Sequence, residues 1–321
     1  MKLIAAYDIG GTKTELSAFK FESETQFERI ATVRFPTERQ KGIEYVTHQL
    51  NNQTSELLSS NKISVKEISA IGMGLPGTVD PATRRQSMGN TAIFNGVDLQ
   101  EALHKTFPQE CPIQIANDAN CFALAEAICG AAKDYSYNES NASSVIGIIL
   151  GTGVGGGLII NHKMMEGRSG GCAEIGHTIF SPTGPMCYCG QRGCVEQVLS
   201  GPAFEASFNS RRYSQVREFQ NAAQIFELAA KLDPIALATL NEYKQNLATF
   251  ITQLTNFFDP NAIVIGGGMS QQQVLYSGLE ELIAAQRFVP VDAPKILKNE
   301  LGDSAGIVGA ALLAYQAEAN K

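Results

Sequence analysis

The chain has 321 residues, 44% of them hydrophobic, with 25 basic against 32 acidic side chains and a formal charge of −7. That length suits about two domains, each with its own core, and the acidic balance, with no run of Lys and Arg, argues against nucleic acid as a partner. The opening stretch MKLIAAYDIGG has a single lysine and too short an apolar run for a signal peptide or a membrane span, so a cytoplasmic protein is expected.

Residues 3–9 read as a buried strand, followed by the glycine turn Gly10-Gly11-Thr12-Lys13 and a second strand, TELSAFKF. A Walker phosphate loop needs a longer glycine loop and then a helix, so this turn is of another kind. It has two readings. Gly10 and Gly11 can let a phosphate approach backbone N–H groups, with Thr12 adding a hydroxyl and Asp8 orienting a hydrated magnesium ion; or the stretch is an ordinary hairpin with a capping aspartate.

A strand near 30–35 and a helix over 43–59 come next, then a buried strand at 68–73 that ends in GLPGTVD. Gly74, Pro76 and Gly77 open a loop at that strand end, where ligands of α/β sheets commonly bind. Asn90 and Asn95 fall in a polar loop, and 99–106 reads as a short helix. In IQIANDANCFALAEAICG a strand over 113–116 hands over, through Asn117-Asp118, to a helix over 119–129. Asp118 can cap that helix with one oxygen, and the other stays free for a general base.

A polar surface segment precedes the strand VIGIIL and the turn GTGVGGG. Gly151, Gly153 and Gly156 match the dinucleotide fingerprint in spacing but not in context, because a β-prone run follows where a helix is required. This is a second strand, glycine turn, strand unit like the one at Asp8, and the repetition points to two related lobes. Helices are expected over 197–209, 221–231 and 234–257, a strand into Gly266, Gly267 and Gly268, a helix over 271–285, a strand near Ile296 and a terminal helix with small residues on one side.

The stretch from Glu174 to Glu196 places His177, Cys187, Cys189 and Cys194 within 18 residues. Glycines and a proline make it a tight loop with little core of its own. That spacing points to one tetrahedral zinc ion held over 177–194. The other four of the seven cysteines lie in core-like sequence, and no disulfide framework is expected.

Taken together, DIGGTK, GLPG, NDAN, GTGVGGG, EIGH, CYCGQRGCVE and IGGG, in that order and spacing, resemble the ROK (repressor, open reading frame, kinase) group of bacterial sugar kinases over essentially the whole chain. The resemblance implies an α/β fold of the two-lobed actin-like, sugar-kinase type with ribonuclease-H-like sheets and a zinc-binding loop. The small lobe would cover 1–117, rejoined by a terminal helix at about 303–321, and the large lobe 118–302. It implies ATP and Mg²⁺ as well as structural Zn²⁺, and a homodimer, for which the helix 234–258 has enough apolar positions.

By the same resemblance, Asp118 is the catalytic base for a sugar 6-hydroxyl, and Asp8 positions Mg²⁺. Gly10, Gly11, Thr12, Lys13, Gly151, Thr152 and Gly153 hold the phosphates, and Gly266, Gly267 and Gly268 border the adenosine. Gly77, Asn90, Asn117, Asp118, Glu174, His177 and Glu196 bind the sugar. The substrate to which GTGVGGGLI and NDANCFALAEA point is N-acetyl-D-glucosamine; DIGGTKTEL and CYCG point equally to fructose or mannose, and glucose stays open. Residues 164–173 are expected to discriminate among them. Repressors of the same group carry a helix-turn-helix domain ahead of the first strand, which is not expected here because that strand begins at Leu3.

Overall fold

The computed structural model describes residues 1–83, 85–87, 92–104, 107–108, 111–137, 142–212, 218–290 and 292–319. The chain divides into two compact units, the first of Met1–Lys133, Gly157–Cys172 and Leu301–Lys321, the second of Asp134–Gly156 and Ala173–Glu300. Among the described residues no helix is long and apolar enough to cross a membrane.

In the first unit, β1 (Lys2–Ile9), β2 (Lys13–Phe21) and β3 (Phe27–Pro36) form an antiparallel meander. The helix α1 (Ile43–Ser60) then leads to β4 (Ile68–Leu75), which lies parallel to β1. A two-stranded ribbon, β5 (Thr78–Val79) and β6 (Gln86–Ser87), and α2 (Leu99–Leu103) precede β7 (Ile113–Asn117), parallel to β4. The sheet order is β3–β2–β1–β4–β7. Most of β4 is buried, as expected of a central parallel strand covered on both faces. The helix α3 (Asp118–Ile128) follows β7 directly.

The second sheet repeats this plan. β8 (Ser144–Leu150), β9 (Val154–Ile160) and the short β10 (Lys163–Met164) are followed by β11 (Ala262–Gly266) and β12 (Lys295–Lys298), in the order β10–β9–β8–β11–β12. The division between units falls inside β9. The helices of this part are α4 (Glu196–Leu199), α5 (Gly201–Arg211), α6 (Ala222–Ala230), α7 (Pro234–Phe258) and α8 (Leu279–Ala284). The mixed α/β architecture with two sheets is the one the sequence implies.

Two expected helices differ in detail. The run 197–209 is broken at Ser200, whose extended backbone (φ −72°, ψ 159°) ends α4, while its hydroxyl accepts from the Ala203 N–H and caps α5 with Pro202 in the first turn. The run 271–285 shrinks to α8, because Gln272 is extended and Gly278 adopts φ +71°, a left-handed conformation that stops a helix.

The last helix, α9 (Ala305–Ala319), belongs to the first unit, and its buried residues include Ile307 through Ala314 without interruption. It reaches this depth through glycine. A methyl group at Gly72 would lie 1.8 Å from the Ala310 carbonyl oxygen, and one at Gly309 would lie 1.8 Å from that of Cys121. The helix therefore sits directly on β4 and α3.

Candidate active site and metal-binding cluster

In the first unit the turn between β1 and β2 is closed by the Gly10 N–H donating to the Lys13 carbonyl at 2.9 Å. Thr37 braces it from outside: its hydroxyl donates to the Gly10 carbonyl at 2.7 Å and its N–H to the Thr12 carbonyl at 2.9 Å. Thr12 and Lys13 stay exposed. Asp8 stands near the end of β1, level with Gly74 on β4, which in turn is level with Ala116 on β7. Asp8 and Asp118 thus gather at the carboxyl ends of parallel strands, where ligands of such sheets bind. Burial pushes the Asp8 carboxyl up to about 7, the negative charges of Asp118 and Glu15 push it the same way, and Lys13 and Arg34 oppose them. The first turn of α9 closes over Asp8, since a methyl group at Gly306 would lie 2.7 Å from its Oδ2.

The residue that caps α3 is Asn117, not Asp118. Its extended backbone (φ −62°, ψ 144°) ends β7, and its Oδ1 accepts from the N–H groups of Ala119 (2.8 Å) and Asn120 (3.4 Å). The Asn117 amide also donates to the Gly77 carbonyl at 2.9 Å, which fixes the loop after β4. Asp118 becomes the first helical residue; its Oδ1 takes the Ala119 N–H at 2.8 Å, and capping is done by its neighbour.

A cavity of about 100 Å³ lies in this unit beside Asn117, bordered by Val79, Asn120, Met164, Glu166 and Gly170. Asn120 is 4% exposed and its Oδ1 has no hydrogen-bond partner among the described residues. Part of the segment expected to discriminate sugars therefore lines this cavity. Asn90 lies outside the described residues.

In the second unit the turn between β8 and β9 repeats the first, with the Gly151 N–H donating to the Gly153 carbonyl at 3.0 Å and Thr152 exposed. β11 runs alongside β8 and delivers Gly266, Gly267 and Gly268 next to it. Gly267 has φ +83°, and a methyl group there would lie 2.4 Å from the Leu150 carbonyl oxygen, so both backbone and space demand glycine; Gly268 is exposed with open space around it. A cavity of about 490 Å³ adjoins this turn, lined by Thr152, Glu196, Gln197, Ser200 and Pro202 among others.

His177, Cys187, Cys189 and Cys194 converge, with one ligand atom from each lying within 4.8 Å of the others. Nδ1 of His177 is 3.6 Å from the Cys187 sulfur, and the sulfurs of Cys189 and Cys194 are 3.5 Å apart. A tetrahedron with metal–ligand bonds of about 2.1–2.3 Å has edges of roughly 3.5–3.8 Å, which these two separations match, so the cluster is compatible with a zinc ion. All seven cysteines are free thiols. Burial raises the Cys194 thiol, while the Gln191 backbone lowers that of Cys189.

Glu174 is exposed by area but crowded: burial raises its carboxyl, the charge of Glu196 adds to that, and His177 opposes it. The residue before it, Ala173, adopts φ +64°. Glu196 is 8% exposed, and its Oε2 accepts the Val154 N–H at 3.1 Å. Three further participants, Thr37, Tyr188 and Gly306, are not singled out from the sequence. Thr37 belongs to no periodic or ligand-spaced pattern, Tyr188 stands between two ligands, and the small residues of the terminal helix, Gly306 among them, mark a close-packed face but not what it meets.

Residues 4–317 match the family model described as the ROK family. An N-acetyl-D-glucosamine kinase of Pasteurella multocida (strain Pm70) is 33% identical over 327 residues, covering 96% of this chain and 97% of the relative. Among solved structures, the ROK hexokinase from Thermus thermophilus superposes with a TM-score of 0.83 at 26% identity, covering 99% of this chain and 100% of that one. A ROK family glucokinase from Streptomyces griseus, in complex with glucose and AMPPNP, gives 0.70 at 26% identity, covering 98% and 99%.

Proposed function

The chain belongs to the ROK family, and on that premise we propose that it is an ATP-dependent sugar kinase that phosphorylates the 6-hydroxyl of N-acetyl-D-glucosamine. The observation that carries this reading is the pairing of Asp8 with Asp118 at the strand ends, with helix capping left to Asn117. Phosphoryl transfer needs positioning, charge neutralisation and exclusion of water more than covalent help.

In this reading Asp118 accepts the proton of the attacking 6-hydroxyl. The turns at Gly10–Lys13 and Gly151–Gly153 hold the phosphates through backbone N–H groups, and Gly266 to Gly268 border the adenosine. Glu174, His177 and Glu196 take sugar hydroxyls, as do Asn117 and Asp118, with Gly77 and Asn90 as lesser candidates. Asn117 has one amide hydrogen left after its bond to Gly77. Mg²⁺, when bound, neutralises phosphate charge, and Asp8 is the residue that would hold its water shell. His177, Cys187, Cys189 and Cys194 would hold Zn²⁺, whose contribution is to fix the His177 ring and the loop that carries Glu196.

Support for the acetylated sugar comes from the chain's relatives and from the cavity beside Asn117. That cavity has room for a small substituent and is bordered by the polar side chains of Asn117 and Asn120. The test is kcat/KM across N-acetylglucosamine, N-acetylmannosamine, glucose, mannose and fructose. A higher value for fructose or glucose than for N-acetylglucosamine overturns the choice of sugar, and no ADP formed with any hexose overturns the kinase.

The same reading makes the protein cytoplasmic, in keeping with its free thiols, and a homodimer. The exposed Phe257, Phe258, Phe288 and Val289 near the end of α7 support self-association, which light scattering tests.

A further inference from the structure

The turn Gly151–Gly153 is braced by the stretch that leaves the cysteine cluster. Cys194 and Val195 are fully buried, and the Val195 N–H donates to the Thr178 carbonyl at 2.9 Å, which roots this stretch. At its far end the Gly201 N–H donates to the Gly151 carbonyl at 2.8 Å. Between them Glu196 turns its carboxylate inward. Oε2 accepts the Val154 N–H at 3.1 Å, and Oε1 lies 3.9 Å from the Cys187 sulfur. The fit at the turn is tight, since a methyl group on Gly153 would stand 2.5 Å from Oε2.

This geometry is more than a sugar ligand requires. A carboxylate that only received sugar hydroxyls would keep both oxygens open, whereas this one has committed an oxygen to the backbone at the end of the glycine turn. Without that acceptor, the Val154 N–H would be left unpaired in a buried setting, and the turn would have to move to satisfy it.

We propose that Glu196 is a positioning residue for the nucleotide: by accepting the Val154 N–H it holds the 151–153 turn in its phosphate-receiving shape. This rests on the reading that the turn binds phosphates. It separates two duties of one side chain, the hydrogen-bonding oxygen serving the nucleotide and the negative charge serving the sugar.

The experiment is calorimetry of Mg·ADP binding without sugar, on the metal-loaded protein and its variants. Glu196→Ala is expected to weaken Mg·ADP about tenfold, the scale of one buried hydrogen bond lost. Glu196→Gln, whose amide oxygen still accepts from Val154, is expected to stay within about twofold of the parent, while its sugar KM rises. Gly153→Ala, which pushes Oε2 away, is expected to weaken Mg·ADP alone but to add little in the Glu196→Ala background. The parent's thermal transition, retained in each variant, shows that folding is intact. Mg·ADP affinity unchanged in Glu196→Ala, or strictly additive effects of the two substitutions, overturns the proposal. A parent protein that binds no Mg·ADP removes the phosphate reading itself, and this inference with it.

Discussion

The hydroxyl of Tyr188 lies 3.0 Å from Nε2 of His177, and the two rings meet edge to face at 5.2 Å. Nδ1 of the same ring faces Cys187, so under the proposed reading a sugar hydroxyl would have to compete with Tyr188 for Nε2. At 64% exposure, Tyr188 is free to swing aside. Tyr188→Phe is therefore expected to leave metal content unchanged and to tighten sugar binding by up to about fivefold, the worth of one competing hydrogen bond. Calorimetry without nucleotide measures it. Weaker binding in the variant would mean that the hydroxyl stays in contact with the sugar.

Asp118→Asn is expected to fold normally, because Asn117 caps α3 whatever stands at 118. Its kcat should fall by about 10²-fold or more, the scale of a lost general base, with sugar KM much less affected. Near-normal turnover would remove Asp118 from the chemistry.

Asp8 gives a pH prediction with a defined sign. Burial, with the charges of Asp118 and Glu15, pushes its carboxyl up to about 7 in the folded chain from a usual value of 3.8. Between these values the folded state binds more protons than the unfolded one, so stability falls as pH rises and the loss is complete above about 7. Across that window the loss is about 1.4 kcal/mol for each pH unit. In magnesium-free buffer, Asp8→Asn should flatten this part of the Tm–pH curve and be more stable than the parent at pH 8, while losing activity. Parallel curves for the two proteins would contradict the assignment.

Cys189→Ser removes one of four converging ligand atoms. Elemental analysis should show metal falling from about one ion per chain, and sugar KM should rise by about tenfold or more, as when support for a binding residue is lost. An unchanged KM in metal-free protein would separate the cluster from sugar binding.

Local chemistry was legible in the sequence, and distant close approach was not. Glycine turns, the cap region at Asn117-Asp118 and the His/Cys spacing declare themselves within a few residues, because turn and ligand geometry is local. The contacts Glu196 to Val154 and Gly306 to Asp8 span long sequence separations and involve either a backbone N–H or a residue with no side chain. The small residues of α9 mark a close-packed face without naming its partner, and nothing in the pattern marks the Glu196 contact. The break at Ser200 was missed because Ser, Gly and Pro within an apolar pattern can continue a helix or restart one, and here Ser200 caps a new helix.

Glycine packing under α9 also sets an order on how the chain is made. The first unit's sheet is complete by residue 117, yet the face of β4 around Gly72 and the Cys121 backbone of α3 are covered by a helix that starts at Ala305. Nearly two hundred residues must leave the ribosome while that apolar groove is open, a period of tens of seconds at about 5–20 residues per second. The amino-terminal half is thus expected to be the chaperone-dependent part of the nascent chain. A ribosome stalled before residue 305 should present it in a protease-sensitive form that the release of α9 converts to a resistant one.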